Sequence, residues 1–142
     1  MITKTNLLWI IPSLLLIACA AKQDGVPEAV QLAFEQKYPG ENDPDWHIDD
    51  NGNYESNFKI DGKKLRADFS PEGNWIETES SLDKNELPKA IQEKIKADFS
   101  AYEITELEEV DHHSKGKFYD IEFKQKGKNM DVEMRSDGTI IN

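Results

Sequence analysis

Residues 62–76, GKKLRADFSPEGNWI, and residues 127–141, GKNMDVEMRSDGTII, spell one strand–turn–strand pattern twice. Lys63 and Lys128 follow the two glycines, and Leu65/Met130, Ala67/Val132, Phe69/Met134, Gly73/Gly138 and Trp75/Ile140 fall in step. Upstream of each copy lies a segment with apolar residues at helical spacing. In VPEAVQLAFEQKYPG these are Val26, Ala29, Val30, Ala33 and Phe34; in LPKAIQEKIKADFS they are Leu87, Ala90, Ile91, Ile95 and Phe99. Pro27 and Pro88 suit a first helical turn, where a missing N–H costs nothing, and Pro39-Gly40 ends the first helix. Helix and strands recur in the same order, which is the mark of a tandem repeat.

The strands themselves alternate. Tyr54, Ser56, Phe58 and Ile60 interleave with Glu55, Asn57 and Lys59; Leu65, Ala67 and Phe69 interleave with Lys64, Arg66 and Asp68. In the second copy Tyr119, Ile121 and Phe123, then Met130, Val132 and Met134, form the apolar set. Asp61-Gly62 and Lys126-Gly127 read as short hairpin turns. Period-two alternation implies antiparallel pairing with one face buried and one solvated. The expected fold is α+β: two copies, 26–80 and 81–142, of a helix plus about four meandering antiparallel strands. Both helices would pack on one face of the sheet or sheets, since a unit of ~60 residues buries little core alone.

Residues 1–18 stand apart from this pattern. A basic start and an apolar run from Leu7 to Ile17 have the length and flanks of a signal peptide. Leu16-Ile17-Ala18-Cys19 resembles the lipobox of bacterial lipoproteins, and it uses the single Cys of the chain. That resemblance implies diacylglycerol on Cys19, a tether over 19–25, and, with Ala20 after the Cys, sorting to the outer membrane. Ordinary cleavage after Ala20 is the alternative. With no second Cys, the fold holds without disulfides.

The chain carries 28 acidic against 17 basic residues, a formal charge of −11. This argues against nucleic acid as a partner, because phosphate binding rests on clustered Lys and Arg. It also leaves the lipid anchor as the expected membrane contact.

The combination of a signal peptide with two copies of helix, Tyr-x-x-x-Phe and Gly-Lys hairpin resembles the PepSY-like, beta-lactamase-inhibitor-like family of exported bacterial proteins. The matching residues are Tyr54, Phe58, Gly62, Lys63, Ala67, Phe69, Gly73 and Trp75, then Tyr119, Phe123, Gly127, Lys128, Val132, Met134 and Gly138. They are turn glycines and core residues. The resemblance implies a binding or inhibitor-like module on the envelope, and it brings no catalytic residue with it.

Several local patterns resemble known chemical sites. Asp111, His112 and His113 sit together, but neighbouring side chains on a strand point to opposite faces, so a solvated turn is expected in place of a metal site. Asp49, Asn51, Asn53 and Glu55 alternate like the start of a calcium loop, yet Tyr54 stands where its glycine belongs and Ile60 where its final Glu belongs. Carboxylate pairs such as Glu77/Glu79 and Glu106/Glu108/Glu109 follow from composition, and His47 beside Trp46 reads as solvated. No nucleophile elbow, HExxH or phosphate loop is present, and no cofactor is expected.

What remains is the polar side of the sheet: Glu55, Asn57, Lys59, Lys64, Arg66 and Asp68 from the first copy, and Asp120, Glu122, Lys124, Asp131, Glu133 and Arg135 from the second. Neighbours of opposite sign across strands are expected there. The expected function is a non-catalytic envelope lipoprotein that binds or inhibits an envelope or extracellular protein through this face. The alternatives are a sensor or carrier of a small ligand or cation, and a small carboxylate-based hydrolase.

Overall fold

The computed structural model describes residues 25–142. The leader, Cys19 and nearly all of the tether lie outside the described residues. Two helices and seven strands follow one another as α1 (Glu28–Lys37), β1 (Asp45–Ile48), β2 (Tyr54–Ile60), β3 (Lys63–Phe69), β4 (Trp75–Ser81), α2 (Lys89–Asp98), β5 (Glu103–His112), β6 (Gly116–Gln125) and β7 (Lys128–Met134). The strands make one antiparallel sheet whose spatial order is the chain order, β1 to β7. The fold is therefore α+β, with a single meander. The expected eighth strand is reduced to one bridge between Met134 and Ile140.

The turns follow from their residues. Asp61 and Gly62 have φ of 52° and 81°, and Lys126 and Gly127 have 50° and 78°. Two successive positive φ values match the right-handed twist of the flanking strands. Each helix starts directly after a proline, Pro27 or Pro88, which occupies the N-cap rather than the first helical position. Gln31 then donates its side-chain amide to the Val26 carbonyl and Gln92 donates to Leu87, both at 2.8 Å.

Each helix covers its own core. Under α1, Val30, Phe34 and Tyr38 pack on Phe58, Ala67 and Phe69, with Trp46 and Trp75 at the margin. Phe34 is the centre of this cluster, with ring centroids 5.0 Å from Phe58 and 5.4 Å from Trp46, in edge contacts. Under α2, Leu87 and Ile91 pack on Leu107, Ile121, Phe123, Val132 and Met134, and Phe99 stacks on Phe123 at 4.6 Å. Tyr38 ties α1 to the middle of the sheet: its hydroxyl hydrogen-bonds Thr78 Oγ1, which also accepts from Trp75 Nε1 at 3.0 Å.

Two glycines set how closely the helices lie. Gly73 and Gly138 both have φ of +83°, in equivalent turns after β3 and β7. A Cβ on Gly73 would stand 2.4 Å from the Ala29 carbonyl oxygen, and one on Gly138 would stand 3.2 Å from that of Ala90. The helices rest on glycine backbone, and that contact brings their apolar stripes within reach of the sheet.

Candidate functional site

Strand registry places the candidate residues on one surface. Asn57 pairs with Arg66, Glu55 with Asp68 and Lys59 with Lys64. Asp120 pairs with Glu133, Glu122 with Asp131 and Lys124 with Asn129. In β2, β3, β6 and β7 these positions alternate with core residues, so all point away from the helices, and Arg135 continues the series one residue past β7. The structure brings together all twelve residues expected on the polar face.

Between the two groups run β4 and β5, which add Glu77, Glu79, Glu106, Glu108, Val110 and His112 to the same face. Val110 and its partner Phe118 are buried, yet belong to neither helix-side cluster. The Lys115 ammonium lies 5.1 Å from the Phe118 ring centre and holds both oxygens of Glu133, at 2.7 and 2.8 Å. Sequence reasoning missed this central strip because WIETESS and EITELEEVDH lack a clean alternation. Pairing to β3 and β6 is what orients them.

The expected charge pairing holds at only a few positions. Arg66 stands opposite Glu79 and Glu103 opposite Lys124, but most charged pairs on the face join like with like. Acid stands directly opposite acid at Glu55/Asp68, Asp68/Glu77, Glu106/Glu122, Glu108/Asp120, Asp120/Glu133 and Glu122/Asp131, and Lys59 stands opposite Lys64. Alternation fixes which side of the sheet a charge takes. The sign of its cross-strand neighbour depends on register, which the separate strands do not carry.

Arg66 is the hub of the strip. Its Nη2 pairs with Glu79 Oε2 and its Nε lies 4.0 Å from Glu55. Glu79 is 7% exposed, so this ion pair is withdrawn from water. Burial pushes the Asp68 carboxyl up to about 7, against the pull of Arg66 beside it. Burial, reinforced by the carboxylates of Glu79 and Glu106, pushes Glu108 up to about 8. Glu77 and Asp120 are raised as well, chiefly by burial. Asp68 Oδ1 and Asp120 Oδ1 are shielded from solvent and accept no hydrogen bond.

Of the other candidate centres, His112 ends the strip opposite Glu77, and His47 and Asp49 stand apart from it. His47 sits near the β1 edge, 3.3 Å from Asp45. Asp49 accepts the backbone N–H groups of Asn51 and Asn53, both at 2.8 Å, an Asx turn whose oxygens are engaged within the loop. His112 and His113 were expected on opposite faces. Their rings instead stack at 4.6 Å, because β5 ends at His112 and the chain turns there. His112 Nδ1 accepts from the N–H groups of Ser114 and Lys115. Among the described residues no group of three His, Cys, Asp or Glu could hold a metal ion. An open depression of ≈ 540 Å³ at the β2–β3 end is lined by Glu41, Asp43, Asn57, Phe58, Lys59, Lys64 and Leu65.

Comparison with known proteins places this geometry. Among solved structures, the chain is similar to a DUF2874 family protein from Bacteroides ovatus, at 21% identity and a TM-score of 0.74, covering 84% of this chain and 87% of that one. It is similar to a BLIP-like protein from Bacteroides fragilis, at 20% identity and 0.71, covering 82% and 83%. It is also similar to a protein from Bacteroides eggerthii described as periplasmic, at 19% and 0.72, covering 82% and 86%. At such identities the likeness is one of fold. A comparison with curated proteins finds no match. The family model described as beta-lactamase-inhibitor-like, PepSY-like matches residues 52–142, which hold β2 to β7, α2 and the segment after β7. The chain belongs to the PepSY-like, beta-lactamase-inhibitor-like family.

Proposed function

We propose that the protein is a non-catalytic envelope module that binds another protein through the open face of its sheet. One observation carries this reading. Seven strands present a continuous surface on the side away from both helices, so a broad partner area is available without any rearrangement. Charged side chains spread over it suit recognition by charge complementarity. The inhibitor-like family name and the BLIP-like neighbour agree with a protein partner.

The reading includes a duplication. The turns around Gly73 and Gly138, the Gln31 and Gln92 amide bonds, and the matched cores support two copies of one unit fused edge to edge through β4 and β5. Doubling the unit doubles the open face.

The test is carboxyl labelling with a water-soluble carbodiimide, read by mass spectrometry, on the full chain with and without a protein partner captured from envelope extract. Bound partner is expected to protect Glu106, Glu122 and Asp131, while Glu28, Glu35 and Glu93 on the helix side label as before. Protection on the helices with an unchanged sheet face would sink the reading. Arg66 is unsuitable for substitution here, because its removal would leave the Glu79 carboxylate buried and uncompensated.

The same reading anchors the protein through lipid on Cys19 at the outer membrane. A Cys19→Ser chain is expected to lose incorporation of labelled palmitate and to leave the membrane fraction. Unchanged fractionation of that variant would exclude the anchor.

A further inference from the structure

On the open face the carboxylates form rows that cross the strands. Glu55, Asp68 and Glu77 make one row over β2, β3 and β4. Glu108, Asp120 and Glu133 make a second, and Glu106, Glu122 and Asp131 a third, both over β5, β6 and β7. Directly opposed side chains in an antiparallel pair stand only about 5 Å apart, and like charges there destabilise the sheet. The Glu55/Asp68 pair occupies the same place in the first half that Asp120/Glu133 occupies in the second. So this conflict recurs in both halves, within strands whose other face is ordinary core.

Local choices that work against the fold collect where a surface serves something else. Cationic relief is uneven: Glu133 holds Lys115, Glu55 faces Arg66, and Arg66 also reaches Asp68, Glu77 and Glu108 electrostatically, with Lys115 reaching Glu77. It leaves other acceptors unpaired. Asp68 Oδ1 and Asp120 Oδ1 are shielded yet accept no hydrogen bond, and Glu122 is bonded by neutral donors, Thr105 and Asn129. Burial, reinforced by neighbouring carboxylates, holds Glu77, Glu108 and Asp120 above the usual carboxylate range. A partner bringing positive charge would relieve every row at once. A partially screened, concerted acid surface of this kind selects partners by charge complementarity.

We propose that the carboxylate rows of the open face are the receptor for a cationic polypeptide segment, whose Arg and Lys side chains settle over β4, β5 and β6. This rests on the open face being the binding surface, and adds the chemistry of its partner. Guanidinium groups suit it best, since a planar fork can bridge two carboxylates of one row.

The experiment titrates a fluorescent oligoarginine peptide into the full-length chain in neutral detergent micelles, at about 0.15 M salt so that diffuse attraction is screened. Oligoglutamate, an uncharged peptide and spermine are the comparison probes, and carboxyl labelling maps each complex. The expected result is oligoarginine binding that protects Glu77, Glu108 and Asp120. A Glu77→Gln, Glu108→Gln, Asp120→Asn triple variant is expected to bind at least about tenfold more weakly. That variant removes like-charge pairs, so it is expected to melt higher than the parent; weaker binding then cannot be ascribed to unfolding. Equal affinity of the variant, or protection spread over Asp49, Asp83 and Glu93, would overturn the proposal. Spermine binding as tightly as oligoarginine would overturn the polypeptide class. Protection of the face by oligoglutamate or the uncharged peptide would overturn the cationic class while leaving the face as the binding surface; the envelope-partner labelling above tests that reading separately.

Discussion

A Gly73→Ala chain is expected to lose about 3 kcal/mol of stability or more, and to melt on the order of 10 °C lower. Two costs combine. The residue sits at φ +83°, where an L side chain pays about 1–2 kcal/mol. The new methyl would also fall 2.4 Å from the Ala29 oxygen and 2.7 Å from its carbonyl carbon, so α1 must lift from the sheet. Lifting α1 loosens Val30 and Phe34 from Phe58 and Phe69, which are almost wholly buried. Gly138→Ala is the internal control. It has the same φ, but its nearest contact, the Ala90 oxygen at 3.2 Å, has to give only slightly, so a loss close to the conformational cost of about 1–2 kcal/mol is expected. Urea and thermal melts of both variants decide it: equal losses would show that close helix seating is not what Gly73 secures.

The second large effect is with pH. Stability is expected to fall as pH rises from about 4 to about 8, unlike the many proteins that peak near neutrality. Asp68 and Glu108 keep their protons in the folded chain up to about 7 and about 8, whereas in the unfolded chain they release them near the usual carboxylate values of 3.8 and 4.5. Between those limits the folded state holds more protons. The stability these groups favour is therefore complete below the unfolded values and is lost as pH climbs to the folded ones. Both groups are only about half withdrawn from water, so a screened total of roughly 1–2 kcal/mol is expected, or about 4–8 °C in Tm. Asp68→Asn and Glu108→Gln should each flatten the profile and raise Tm at the alkaline end. A melting temperature that climbs from about pH 5 to about pH 8 would refute this account.

How much of this was legible in the sequence depended on the range of the signal. Helix stripes, the two-residue turns and the inward sets Leu65/Ala67/Phe69 and Met130/Val132/Met134 are local, and period alone orients them. The twelve polar-face residues follow from the same alternation. The central strip was hidden, because Glu77 and Glu79 meet Asp68 and Arg66 only through β3, and Glu108 and Val110 meet them only across the β4–β5 joint. The mutual repulsion of the acid rows is likewise a property of register. Ile140 shows the opposite failure: its match to Trp75 promised a strand, but the chain makes a single bridge there and turns its polar groups back onto β7.

The order of the sheet also bears on how the chain reaches its fold. Every strand neighbours its successor, so nearly all pairings form within hairpins, where closing the loop costs little entropy. The exception is the β4–β5 register, which joins Glu77 to His112, roughly 35 residues apart with α2 between them. Rapid hairpin formation on either side, followed by docking at this one joint, is the kinetic order that such topology favours. The acid strip straddles that joint, so it becomes a single surface only in the last step of assembly.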